Sequence, residues 1–66
     1  MSFRVKEIRE EKNMTQEELE KKSGISRQTI SAIENGKAIN VKSGTLIALA
    51  DALETTVDAI FFHNAV

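Results

Sequence analysis

The chain has 66 residues, enough for one domain with a small core, and it contains no cysteine and no proline. Without cysteine, neither a disulfide framework nor a cysteine-ligated zinc site can stabilise it, so closely packed helices or a partner chain must do so. The net charge is −1. Between residues 21 and 42, however, five basic residues stand against one acidic residue, a local charge of +4. This distribution favours a polyanionic partner, although a solvated lysine-rich surface would have the same composition.

The sequence shows no sign of a membrane or secretory segment. No apolar run approaches the roughly 20 residues that a helix needs to cross a bilayer. The N-terminus, MSFRVKEIRE, is too charged for a signal peptide. We therefore expect a soluble, cytoplasmic protein without a membrane partner.

Residues 3–12 are predicted to form the first helix, because charged residues of high helix propensity follow a possible cap at Ser2. Val5 and Ile8 lie one turn apart and should form the buried side. Phe3 should reach the core where the chain enters this helix.

Residues 15–37, TQEELEKKSGISRQTISAIENGK, contain the most informative pattern. Thr15 is a good N-cap, and Glu18 three residues later completes a capping box. Gly24 is the expected end of this helix, since a glycine accepts the positive φ that often follows a last turn.

A further helix is predicted to start directly after this glycine. Ser26 should be its N-cap, Ile30 and Ile33 should face inward, and Asn35-Gly36 should end it. Two helices around a short turn that contains glycine fit a helix-turn-helix, whose second helix enters the major groove of DNA.

The second half of the chain predicts two more helices after a loop over residues 37–44. Residues 45–54 form the most apolar segment, with Ser43 or Thr45 as possible caps. Leucine and alanine recur there at helical spacing and should form the central ridge of the core. Thr56 is predicted to cap a short last helix.

The pattern over residues 15–37 closely resembles the phage-repressor/Cro family of helix-turn-helix domains, also called the XRE family. The matching pieces are the T-Q-E-E-L start, the S-G-I-S turn, the S-R-Q-T-I-S-x-I-E second helix and the N-G-K exit. Similarity extends from the R-E-x-K-N-M-T lead-in to the closing T-V-D-A-I-F. It implies an all-α, five-helix, lambda-repressor-like fold that spans residues 1–66 as a single domain.

The resemblance also implies which residues contact double-stranded DNA. Arginine suits guanine and glutamine suits adenine, since each side chain can bond two edge atoms of its base. The expected base-reading residues, on the first turn and outer face of the second motif helix, are Arg27, Gln28, Thr29, Ser31 and Ala32. The expected phosphate contacts are Gln16, Ser26, Asn35 and Lys37.

Two further features are implied by the family pattern. Arg9 is expected to pair with Glu34 and so fix the second motif helix against the first helix; alternatively, the two residues are ordinary surface charges. The region 57–66 is expected to form a dimer contact through Ile60, Phe61 and Phe62. Adjacent phenylalanines support this, because one short helix cannot bury both against the same core; alternatively, one is buried and the other lies on the surface.

The implied function is a transcriptional regulator, acting as a homodimeric repressor on a palindromic operator in a bacterium or phage. An antitoxin or accessory protein that holds a partner through its apolar tail remains an alternative, as does a restriction–modification controller protein. An enzyme is not expected: His63 is the single histidine, and no phosphate loop or nucleophile pairing is present. We expect no cofactor, no metal and no small-molecule substrate.

Overall fold

The computed structural model describes residues 3–37 and 40–61, and within these ranges the chain is helical, with no strand. The helices are α1 (Val5–Glu11), α2 (Gln16–Ser23), α3 (Arg27–Glu34), α4 (Ser43–Ala52) and α5 (Val57–Phe61). The predicted all-α, five-helix fold is confirmed. No helix in the described part of the chain is both long and apolar enough to span a bilayer.

One hydrophobic core joins all five helices. Helix α4 packs against α2 and α5, while α3 packs against α1 and α2. Each large side chain that is fully buried contributes about 1.5–3 kcal/mol. The buried residues are Val5, Ile8, Leu19, Ile30, Ile33, Leu46, Leu49, Ala50, Leu53 and Ile60.

The local signals around the helix-turn-helix are present as predicted. The Thr15 hydroxyl accepts a hydrogen bond from the Glu18 N–H at 3.1 Å, and the Glu18 carboxylate accepts one from the Thr15 N–H at 2.9 Å. Gly24 closes α2 in the left-handed region with φ of 75°. Ser26 caps α3, because its hydroxyl accepts from the Thr29 N–H. The capping chemistry therefore fixes both ends of the turn between α2 and α3.

The expected boundaries of α4 were wrong by two residues at each end. The helix begins at Ser43 and ends at Ala52, and its N-cap is Lys42, which makes no side-chain capping bond. Neither Ser43 nor Thr45 is therefore a cap. Val41, just before the helix, packs against the core, so tertiary packing sets this start.

Helix α1, in contrast, is shorter than predicted. It spans Val5–Glu11, and its N-cap, Arg4, makes no side-chain capping bond. The Arg4 N–H instead donates to the carbonyl of Ile60 at 2.9 Å, which joins the start of the chain to α5. The proposed cap at Ser2 lies outside the described residues. The expected cap of α5 is present, since the Thr56 hydroxyl accepts from the Ala59 N–H at 3.1 Å.

Candidate nucleic-acid interface

An open groove runs along the outer face of α3. Because Ile30 and Ile33 are fully buried against the core, the positions on the opposite side of α3 face outward. The first residue of α2 and the segment that follows α3 also line the groove. Its lining contains two cationic side chains and no carboxylate: Gln16, Arg27, Gln28, Ser31, Ala32, Asn35 and Lys37.

All seven lining residues are among those that the sequence assigned to DNA contact. Arg27 and Gln28 are exposed, whereas Ser31 and Ala32 are half-buried. Two other assigned residues, Ser26 and Thr29, are exposed but do not line the groove. The Ser26 hydroxyl donates to the Thr29 hydroxyl at 2.9 Å, so these two side chains are engaged with each other in the first turn of α3.

A side chain of α2 also binds the start of α3. The Glu20 carboxylate accepts a hydrogen bond from the backbone N–H of Arg27 at 3.0 Å. A carboxylate is favourable here because the N-terminus of a helix carries a partial positive charge. The sequence does not single out Glu20 for this role. No spacing rule would have revealed this bond, because it depends on the angle between α2 and α3.

The predicted ion pair between Arg9 and Glu34 is present at the inner edge of the groove. Arg9 Nε donates to Glu34 Oε2 at 2.8 Å, and Arg9 Nη2 donates to Oε1 at 3.2 Å. The hydrogen bond to Glu34 raises the pKa of the Arg9 guanidinium, and burial only partly opposes this. Arg9 Nη1 also donates to the carbonyl of Met14 at 2.7 Å. Arg9 therefore joins α1, the turn before α2, and α3.

Gln16 extends this ion pair to the groove. Its Nε2 donates to Glu34 Oε1 at 2.9 Å, and its Oε1 accepts from Arg27 Nε at a longer distance of 3.4 Å. Four polar side chains thus form a continuous chain from α1 to the first residue of α3. The sequence assigned Gln16 to phosphate contact and gave no indication of this second connection.

The far end of the groove is formed where α3 ends. Asn35 Nδ2 donates to the Ser31 hydroxyl at 3.3 Å. The Lys37 N–H donates to the carbonyl of Ala32 at 2.8 Å, and Gly36 supplies the positive φ of 70° that this closure needs. As a result, the chain turns back toward α3 and places Lys37 beside the groove.

The helix-turn-helix family matches the chain over residues 5–60, which covers all of α1 to α4 and most of α5. This chain belongs to the XRE family of helix-turn-helix proteins. An uncharacterised HTH-type transcriptional regulator of Archaeoglobus fulgidus is 54% identical over 64 residues, which cover 97% of this chain and 89% of that protein.

Two further relatives match shorter stretches. An uncharacterised HTH-type transcriptional regulator of Methanocaldococcus jannaschii is 57% identical over 37 residues, 56% of each chain. Another from Sinorhizobium fredii is 48% identical over 46 residues, which cover 70% of this chain and 58% of that protein. Family and relatives together indicate a DNA-binding transcriptional regulator rather than an enzyme.

Proposed function

We propose that this XRE-family protein is a repressor that binds a palindromic operator as a homodimer, with α3 in the major groove of each half-site. One observation carries the proposal: the residues that family resemblance assigned to DNA contact line a single open groove with two cations and no carboxylate. A B-DNA major groove is wide enough to admit a helix. The overall negative charge of the chain does not oppose this, because the acidic residues lie outside the groove lining.

Base reading is proposed for the residues of α3 that face the groove. Arg27 can donate to O6 and N7 of guanine, and Gln28 can pair with N6 and N7 of adenine. Ser31 has a short side chain, so its hydroxyl would contact a base or a phosphate only on close approach; it accepts a hydrogen bond from Asn35, which leaves its O–H free to donate. The methyl group of Ala32 can contact the methyl group of a thymine.

Phosphate contacts are proposed at the two ends of the groove. Gln16 stands at the N-terminus of α2, where the helix dipole attracts an anion. Asn35 and Lys37 stand at the other end, after α3. Such contacts fix the position of the protein on the duplex without reading its sequence. Ser26 can add a contact only if its hydroxyl exchanges Thr29 for a phosphate.

The dimer proposal now rests on fewer residues than the sequence indicated. Ile60 has no exposed surface, so its side chain belongs to the core of this chain and not to a contact between chains. The Phe61 side chain and Phe62 lie outside the described residues. A homodimer would place two copies of α3 in successive major grooves, about 34 Å apart. Light scattering at micromolar concentration should give about twice the 7.3 kDa chain mass; a monomer alone would contradict the dimer.

Selection of binding sites from a random duplex-DNA pool at moderate salt tests the proposed function. We expect enrichment of a palindrome whose half-sites lie near one helical turn apart. Enrichment of no sequence, with only weak and salt-sensitive binding, would contradict sequence-specific recognition.

Three variants then separate base reading from phosphate contact on the selected site. Arg27→Ala should cost about 1–3 kcal/mol on the selected site and much less on random DNA. Lys37→Ala should weaken binding to both DNAs alike and reduce the salt slope by about one. Lys22→Ala is the matched control, because Lys22 is exposed in the last turn of α2 and does not line the groove. If Arg27→Ala also weakened binding to the selected site and to random DNA alike, the division into base-reading and phosphate-binding residues would be refuted.

A further inference from the structure

The orientation of the Gln16 amide is fixed by its two neighbours. Its Nε2 faces the carboxylate of Glu34, and its Oε1 faces the Nε–H of Arg27. A flipped amide would set its oxygen against the Glu34 oxygen and its NH₂ group against the Arg27 donor. Both contacts would then be repulsive, since a carboxylate only accepts and a guanidinium only donates. Glu34 therefore determines that position 16 presents an acceptor to Arg27.

This acceptor holds one particular edge of the Arg27 guanidinium. Its Nε–H is directed to Gln16, and in the described part of the chain no other protein group binds this side chain. The backbone N–H of the same residue is fixed by Glu20. The terminal nitrogens Nη1 and Nη2 therefore remain available together to a ligand in the groove.

We propose that Gln16, oriented by Glu34, is a positioning residue that sets the specificity of Arg27 for guanine. The guanidinium reads O6 and N7 with Nη1 and Nη2, while Nε stays bound to the protein. This inference rests on the proposed function, since it requires that Arg27 reads a base. It makes the ion pair of Arg9 and Glu34 part of base recognition as well as of the fold.

The physical basis is loss of conformational freedom before DNA is bound. A free arginine side chain has many rotamers, and ordering them on binding reduces affinity. A contact with Gln16 restricts the guanidinium in advance and favours approach to two acceptors on one base. In the major groove, only guanine offers a pair of acceptors on one base. The gain in affinity therefore applies to guanine and not to the other bases.

Two variants of Gln16 separate positioning from phosphate contact. Gln16→Met keeps the length of the side chain but removes donor and acceptor. Gln16→Lys keeps a donor for Glu34, offers no acceptor to Arg27 and repels it. In both variants we expect the preference for guanine at the base pair read by Arg27 to fall by roughly five-fold, the effect of one hydrogen bond. Preferences at the other base pairs should stay unchanged.

The lysine variant makes the test sharp. A lysine also binds phosphate and adds a positive charge, so the salt slope should steepen by about one while the guanine preference falls. The measurement is selection from a pool of duplexes randomised at each operator position, performed side by side with the wild-type protein. If both variants change affinity for all sequences equally and leave the base profile unchanged, Gln16 is only a phosphate contact and the proposal is overturned.

The part played by Glu34 is tested by the paired replacement Arg9→Met with Glu34→Leu. It removes the partner that orients Gln16 without leaving one charge buried. We expect the same loss of guanine preference as in Gln16→Met, and no further loss when all three changes are combined. If the pair does not fold, Glu34→Asp replaces it, because its carboxylate is withdrawn from Gln16 by one methylene. If the folded variant selects the same bases as the wild-type protein, Glu34 has no part in base specificity and this part of the proposal is overturned.

Failure of this inference can be told apart from failure of the proposed function. If the wild-type protein enriches no sequence, the proposed function fails before any variant is compared. If it enriches an operator with a guanine that Arg27→Ala no longer selects, the proposed function stands. The variants of Gln16 and Glu34 then decide the inference alone.

Discussion

Removing one partner of the Arg9–Glu34 ion pair should destabilise the protein far more than removing both. The two side chains are 11% and 3% exposed, and two hydrogen bonds join them. Glu34→Leu leaves the guanidinium with only the Met14 carbonyl. We expect a loss of about 3 kcal/mol, the lower end for a buried pair, because this pair lies at the edge of the core. Arg9→Met should cost at least as much, since it also removes the donor to that carbonyl.

The double variant should recover much of this loss, because it leaves neither charge unpaired. The Met14 carbonyl still lacks its donor, which costs about 1–3 kcal/mol. The two single losses sum to about 6 kcal/mol or more, so the two changes should be coupled by at least about 3 kcal/mol, the upper end of the range for residues in direct contact.

Urea unfolding followed by far-UV circular dichroism measures this cycle. A small core supplies only about 3–5 kcal/mol, so all variants should be unfolded in the same concentration of trimethylamine N-oxide, which strengthens burial. Glu7→Leu is the control: Glu7 pairs with Arg4 at 3.5 Å but is 61% exposed. Its loss should stay below about 1 kcal/mol. Additive losses for Arg9 and Glu34, at an unchanged m value, would refute the reasoning.

Three further predictions concern the helix ends and the core. Glu54 has a φ of 55° just after α4, so Glu54→Gly should raise the free energy of unfolding by about 0.5–1 kcal/mol in urea titration. Lys21→Gly, at an exposed position inside α2, should lower it by a similar amount. Hydrogen bonds from the Thr15 N–H, and then its hydroxyl, lower the pKa of Glu18 from its ordinary value of about 4.5. The stability that the ionised carboxylate provides is complete above that value and is lost as pH falls through the lowered pKa. In Glu18→Gln, the free energy of unfolding should therefore decline less steeply over this pH range. An identical pH profile in the variant and the wild-type protein would exclude the effect. Ile60→Ala should lower the free energy of unfolding by about 2–5 kcal/mol, independently of protein concentration. If the variant only weakened self-association, Ile60 would belong to an interface between chains.

The parts of the fold that sequence reasoning predicted correctly depend on chemistry within a few residues. The capping box of α2, the glycine that ends it and the serine that begins α3 each satisfy backbone groups nearby. Such signals act alike in any tertiary context, so their positions follow from residue type and spacing. The Arg9–Glu34 pair spans 25 residues and was predicted only because the family pattern associates the two positions.

The features that sequence reasoning missed depend on how the helices pack. The start of α4 has no capping side chain, and the extended Lys42 precedes it without any local signal. Contacts of Gln16 with Glu34 and Arg27 join residues 18 and 11 positions apart. They require α2 and α3 to cross at one angle, which hydrophobic periodicity does not specify. The groove residues could thus be named from the sequence, while their mutual hydrogen bonds could not.

We propose the groove along α3 as the surface that contacts DNA. Titration of the ¹⁵N-labelled protein with the selected duplex, monitored by amide chemical shifts, maps that surface residue by residue. We predict the largest changes at the N-terminus of α2, along α3 and at Asn35 to Lys37, with little change along α4. Shifts concentrated on α4 and α5, with α3 unaffected, would contradict the account.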